Sequence, residues 1–210
     1  MRTEFILSAA AAIQQAILAS ESELESLDRE IGDGDHFINM KRGSAAIVEM
    51  HSELATLPPD VVLQKIGMKL LSTIGGASGP LLASFFMAMA KTAKERETDS
   101  LAGIAAAFNA GVDAIKQRGK ADVGEKTMLD VLMPVAKRFE AMTTADVGRD
   151  EIFAALKQSA ETGMLSTKDL VATKGRASFL GERAIGHIDP GAKSCQVMIA
   201  TVCDLALNGT

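Results

Sequence analysis

The chain has 210 residues, 47% of them hydrophobic, which is enough apolar material for one sizeable core and hence one domain spanning residues 1–210. A net charge of −5 and a pI near 5.3 leave no broad cationic face, which argues against a nucleic-acid partner. With no Trp or Tyr and only 8 Phe, the core must come from Ala, Leu, Ile, Val and 11 Met, a palette that suits helix packing.

The first twelve residues carry one Arg and then an apolar Ala-rich run, but Glu4 interrupts the pattern of a secretory signal, so the expected location is cytoplasmic. Residues 27–43 read Leu-Asp-Arg-Glu-Ile-Gly-Asp-Gly-Asp-His-Phe-Ile-Asn-Met-Lys-Arg-Gly and place Asp28, Asp33 and Asp35 close together among glycines. Two carboxylates about 4 Å apart repel by about 4 kcal/mol at an effective dielectric of 20, so three that converge call for cations or protons. Carboxylate oxygens suit Mg²⁺, which keeps positions for water and phosphate oxygens. A calcium EF-hand fails on register, since counting from Asp33 puts Phe37 at the fifth position and Ser44 at the twelfth. The competing reading is a solvated acidic turn with Asp35 capping the next helix. Taken singly, His36 reads as a structural hydrogen-bonding residue and Asn39 as an exposed helical one.

Helical spacing then recurs at Val62, Ile66, Leu70 and Ile74, and at Leu82, Phe85, Phe86 and Met89. The apolar stretch from Ile74 to Ala90 contains three Gly, two Ser and Pro80 and is short for a membrane span, so a buried helix is expected and no membrane association. Within it, Gly75-Gly76-Ala77-Ser78-Gly79-Pro80 suits either a helix start whose backbone N–H groups stand free for a phosphate or a simple tight turn between packed helices. No GxxxxGK[ST] run occurs, which excludes a P-loop fold.

A second Gly-rich segment, residues 118–128, precedes a stripe at Leu129, Leu132, Ala136 and Phe139, and its Met128 can pack on an adenine face or simply in the core. Residues 173–183 gather positive charge in an acidic protein; Arg176 can present a guanidinium fork to phosphate oxygens, and the glycines suit a lid or an ordinary surface loop. Asp189 and Pro190 fit the N-cap and first turn of a last helix, whose stripe is Cys195, Ile199, Val202 and Ala206. Cys195 and Cys203 lack metal or redox spacing and read as reduced core thiols. The expectation is an all-α chain, a single-domain antiparallel barrel or bundle of about eight helices.

Taken together, Asp-Arg-Glu-Ile-Gly-Asp-Gly-Asp-His, Gly-Gly-Ala-Ser-Gly-Pro, Arg-Gly-Lys-Ala with Lys-Thr-Met, and Lys-Gly-Arg-Ala-Ser-Phe-Leu-Gly-Glu-Arg with Asp-Pro-Gly resemble the nucleotide-binding L subunit of bacterial dihydroxyacetone kinase. The resemblance runs in order along nearly the whole chain. It implies an eight-helix barrel with ADP, or ATP when charged, at one end, and two Mg²⁺ held by Asp28, Asp33 and Asp35. Nucleotide contacts would come from His36, Asn39, Ala77, Ser78, Gly119, Met128, Arg176 and the Asp189-Pro190-Gly191 corner, with Arg176 a possible stabiliser of charge in transfer. A separate K subunit would hold the ketose and a phosphohistidine M subunit would recharge the nucleotide; a homodimer is left open.

Phe37 departs from the family's usual Gly after Asp-His, which is expected to alter the rim that meets the partner. The ATP-exchanging branch of the family, a non-catalytic nucleotide-binding coactivator on the same scaffold and a fatty-acid-kinase-like nucleotide domain are the alternative readings.

Overall fold

The computed structural model describes residues 1–96 and 98–209, which form ten α-helices and two 3-10 segments with no strand among them. The Ala-rich start becomes α1 (Thr3–Ala19), and a break at Ser20 turns the chain into α2 (Glu21–Ile31). After the aspartate loop come α3 (His36–Glu49), the single turn α4 (His51–Leu54) and α5 (Pro59–Thr73), whose first turn takes Pro59. The Gly-rich run opens α6 (Ser78–Glu95). Helix α7 (Leu101–Gly119) is capped by the Ser100 hydroxyl, which accepts from the Gly103 N–H at 3.1 Å. Then follow α8 (Leu129–Thr144), α9 (Arg149–Ser166), 3-10 segments at Thr167–Asp169 and Arg176–Ala184, and α10 (Pro190–Asn208).

Eight of the long helices pack in a closed order: α5 on α6, α6 on α7, α7 on α8, α8 on α9, α9 on α10, α10 on α1, α1 on α3, and α3 back on α5. Close approach is possible because glycines stand at contact points. A Cβ at Gly67 of α5 would sit 3.1 Å from the Ala83 carbonyl of α6, and one at Gly111 of α7 would sit 2.5 Å from the Phe85 ring.

Two buried clusters fill the interior, one drawn mainly from α7 to α10 and one mainly from α1, α3, α5 and α6. Phe85 packs on both, and its ring meets Phe86 and Phe108 edge-on at centroid distances of 5.2 and 5.6 Å. Cys195 and Cys203 are free and buried in α10. Among the described residues no single helix is long and apolar enough to cross a membrane.

Helix α2 lies outside the closed order and touches α3, α10 and the second 3-10 segment. A third, small cluster of Ile31, Ala172, Ala177 and Ala184 seats that segment against the end of α2. Phe37 belongs to this interior and not to a rim: it is 3% exposed within the cluster of α1, α3, α5 and α6, with the Lys41 ammonium 5.6 Å from its ring centroid. The position one residue after the Asp-His pair therefore faces the core, and the exposed neighbour is Ile38.

Candidate functional site

Four helices begin at one cavity of about 490 Å³: α3 at His36, α6 at Ser78, α8 at Leu129 and α10 at Pro190. Each start leaves backbone N–H groups without an intrahelical acceptor and puts the positive end of a helix dipole toward the space. Against this positive frame stand three carboxylates. Asp28, Asp33 and Asp35 each offer an oxygen, and these atoms lie within 4.8 Å of one another.

The loop that gathers them is folded by local bonds. Asp28 is buried in the last turn of α2 and accepts from the His36 N–H at 2.9 Å, which fixes the start of α3 against the end of α2. Gly32 is required there, since a Cβ would fall 1.7 Å from Asp28 Oδ1. Asp35 occupies the N-cap position of α3, yet its side chain makes no capping bond, so the simple acidic-cap reading does not describe it. Partial burial of its carboxyl and the neighbouring Asp33 hold Asp35 above the usual carboxylate range. Arg176 Nε lies 2.7 Å from Asp33 Oδ2, so the second 3-10 segment reaches over to the acidic loop. His36 sits close to all three aspartates, but burial outweighs them and lowers its pKa. Its Nε2 lies 3.0 Å from the Ser194 hydroxyl of α10.

Of the residues expected from sequence, Asp28, Asp33, Asp35, His36, Ala77, Ser78, Gly119, Met128, Arg176, Asp189, Pro190 and Gly191 line this one cavity. Asn39 does not. It is buried behind the wall, where its Oδ1 accepts from the Gly75 N–H at 3.3 Å and ties the aspartate helix to the Gly-rich turn. That turn depends on Gly76 at φ +63° and on Gly79, whose Cβ would lie 2.3 Å from the Ile74 carbonyl oxygen. Asp189 does cap α10, its Oδ2 accepting from the Ala192 N–H at 2.7 Å. Burial, with Asp130 nearby, pushes its carboxyl up to about 7 against the opposing pull of Lys126 and the helix N–H groups.

Two residues that shape the site have no role assigned from sequence. Asp130, buried in the first turn of α8, accepts from the N–H groups of Gly124 and Thr127 at 2.5 and 2.7 Å and so shapes the turn before Met128. Lys126 is 1% exposed, and burial lowers its pKa. Neither stands out by spacing, because a Lys and an Asp at a helix start are ordinary solvated residues in most sequences.

Residues 30–204 match the DAK2 domain family. The PEP-dependent dihydroxyacetone kinase, ADP-binding subunit DhaL, of Escherichia coli K12 is 42% identical over 184 residues, covering 87% of this chain and 88% of that protein. The PTS-dependent counterpart of Lactococcus lactis is 40% identical over 192 residues, 91% of each. Human triokinase/FMN cyclase is 32% identical over 190 residues, of which the chain spans only 33% of the longer protein. The fold resembles that in the crystal structure of the C. freundii dihydroxyacetone kinase in complex with AMP-PNP and Mg²⁺, with a TM-score of 0.75 at 23% identity, covering 94% of this chain and 33% of that one. By the span of the domain match and by these identities, the chain belongs to the DAK2-domain family, alongside the separate DhaL subunits of dihydroxyacetone kinases.

Proposed function

We propose that the chain is the ADP-binding subunit of a dihydroxyacetone-type kinase, carrying a phosphoryl group on a magnesium-bound nucleotide to a short ketose held by a separate K subunit. The observation that carries this reading is the pairing of three mutually close carboxylates with four helix N-termini around one cavity. Carboxylates alone would attract only cations and helix starts alone only anions; side by side they suit a polyphosphate with its counter-ions. A volume of about 490 Å³ falls in the usual range for a small-molecule site.

Asp28, Asp33 and Asp35 would hold two Mg²⁺, a fit supported by their hard oxygen donors and mutual closeness. When bound, magnesium neutralises phosphate charge in the transfer. Ala77, Ser78 and Gly119 would offer backbone to the phosphates and sugar, Met128 a soft face to the base, and the Asp189-Pro190-Gly191 corner a fixed edge. Arg176, already beside Asp33, would meet charge that develops on the transferred group. His36 and Asn39 would support this arrangement from behind, through Ser194 and Gly75.

In this reading the closed order of eight long helices is an antiparallel barrel, and residues 1–210 act as one domain. Helix α1 lies before the matched residues 30–204 yet packs on α3, α5 and α10. The two buried free thiols suit a cytoplasmic setting. The PEP- and PTS-dependent relatives favour a retained ADP recharged by a phosphohistidine M subunit over an exchanging ATP. Retention of all three aspartates favours a kinase subunit over a non-catalytic coactivator.

Chromatography of small molecules released on denaturing the purified protein should yield near-stoichiometric ADP. A protein that emerges empty and turns over free ATP when given a K subunit would overturn the retained-cofactor assignment. Failure to bind Mg·ADP at all would overturn the function.

A further inference from the structure

The segment that brings Arg176 to Asp33 leaves the body of the protein after the 3-10 turn Thr167–Asp169 and returns at Asp189. Both of its ends are tied to one dipeptide. On the outgoing side, the Thr173 N–H donates to the Glu125 carbonyl at 3.3 Å, and the Thr173 hydroxyl donates to Glu125 Oε1 at 3.1 Å. On the returning side, the Lys126 ammonium donates to the His187 carbonyl at 2.6 Å and also to the Thr167 carbonyl. Thr167 completes the tie, its hydroxyl accepting from the Asp189 N–H at 3.1 Å.

Lys126 holds this place against two separate costs. It is an ammonium 1% exposed whose hydrogen bonds run to backbone carbonyls, and its backbone sits at φ +61°, a left-handed conformation that is unfavourable for a residue with a side chain. A packed apolar side chain would fill such a position more stably, so the cation answers a need other than core stability. Between the two tied ends, Gly175 and Gly181 have φ of +66° and +56° with ψ of −165° and −130°, a region open essentially to glycine. The interior of the segment is thus jointed while its ends are fixed, and its tip carries Phe179 at 82% exposure.

We infer that Lys126, together with Glu125, is a positioning residue that clasps both ends of the 173–187 segment and thereby sets where Arg176 stands over the aspartates. The clasp acts through Arg176 and leaves the carboxylates themselves untouched. For nucleotide binding the inference rests on the function proposed above; the clasp itself can be read without ligand.

The test compares Lys126→Met, Thr173→Val, Arg176→Ala and the Lys126→Met/Arg176→Ala double variant in the full chain, by amide hydrogen exchange without ligand and by calorimetric titration with Mg·ADP. Loss of the clasp should speed exchange over residues 172–187 by about tenfold or more, with the starts of α3 and α6 unchanged. Lys126→Met should weaken Mg·ADP about tenfold when Arg176 is present and less than about twofold when it is absent, the non-additivity of a residue acting through another. Thr173→Val should shift both readouts the same way by about threefold, and carries the test if Lys126→Met does not fold. Unchanged exchange over 172–187, or an equal loss of affinity with and without Arg176, overturns the inference. If the unaltered chain binds no Mg·ADP, the proposed function falls and the exchange comparison alone decides the clasp.

Discussion

Replacing Asp35 with Asn should make the ligand-free protein more stable while removing its response to magnesium. The oxygens of Asp28, Asp33 and Asp35 lie within 4.8 Å of one another, so each pair of charges repels by about 3.5 kcal/mol at an effective dielectric of 20 and by about 0.9 kcal/mol in bulk water. Asp35 is exposed and faces two such neighbours, so the realised relief lies near twice the lower figure, about 2 kcal/mol. For a chain of this length that corresponds to a rise in melting temperature of about 4–8 °C. A ligand at a hundred times its dissociation constant adds about 2.7 kcal/mol to the unaltered protein, and the variant should lose most of that increment. The assay is a thermal melt with and without Mg²⁺ and ADP. A variant that melts below the parent without ligand, or that keeps the full magnesium-dependent gain, would refute the argument that the aspartates are held together against mutual repulsion for a cation.

Gly79→Ala puts a methyl group 2.3 Å from the Ile74 carbonyl oxygen, so the turn from Ile74 to Ser78 must shift by about 1 Å. We expect stability to fall by about 1–3 kcal/mol and Mg·ADP affinity by about a hundredfold, measured by denaturant titration and calorimetry. Phe37→Ala should cost about 3–5 kcal/mol in a denaturant titration, because the ring is 3% exposed in the core, whereas a rim position would cost little. Burial pushes the thiols of Cys195 and Cys203 up to about 12. Neither should react with a disulfide reagent at pH 8 until the protein unfolds. Since a folded-state pKa above the ordinary thiol value favours the protonated form, this contribution to stability is complete below about pH 9 and fades as pH rises toward 12, which a pH series of melts on the native chain and a Cys→Ser pair would reveal.

Helix stripes were legible because their spacing repeats across many residues. The stripe from Leu129 to Phe139 survived Pro134, which lies inside α8 and marks no boundary. The helix starts at Ser78 and Pro190 were legible from Gly-Pro and Asp-Pro chemistry, which acts over one turn. The acidic loop was legible too, because three charges in eight residues are costly unless something holds them. What escaped were residues whose meaning is tertiary. Asn39 sits one helical turn after Asp35, where sequence suggests a solvent-facing side chain, yet it binds Gly75 thirty-six residues on. Lys126 binds carbonyls 41 and 61 residues away, and no local pattern encodes that. The inward direction of Phe37 follows from the rotation of α3, which only packing against α1 and α5 sets.

Helix α2 stands apart from the closed order of long helices, packing mainly on α3, α10 and the second 3-10 segment, yet it supplies Asp28. Leu24 anchors its middle in the buried cluster of α1, α3, α5 and α6, so charge balance in the acidic loop bears on its C-terminal end. Chelation should loosen the acidic turn at the end of this outlying helix first, leaving the remaining framework standing, so that loss of ligand registers as local fraying long before cooperative collapse.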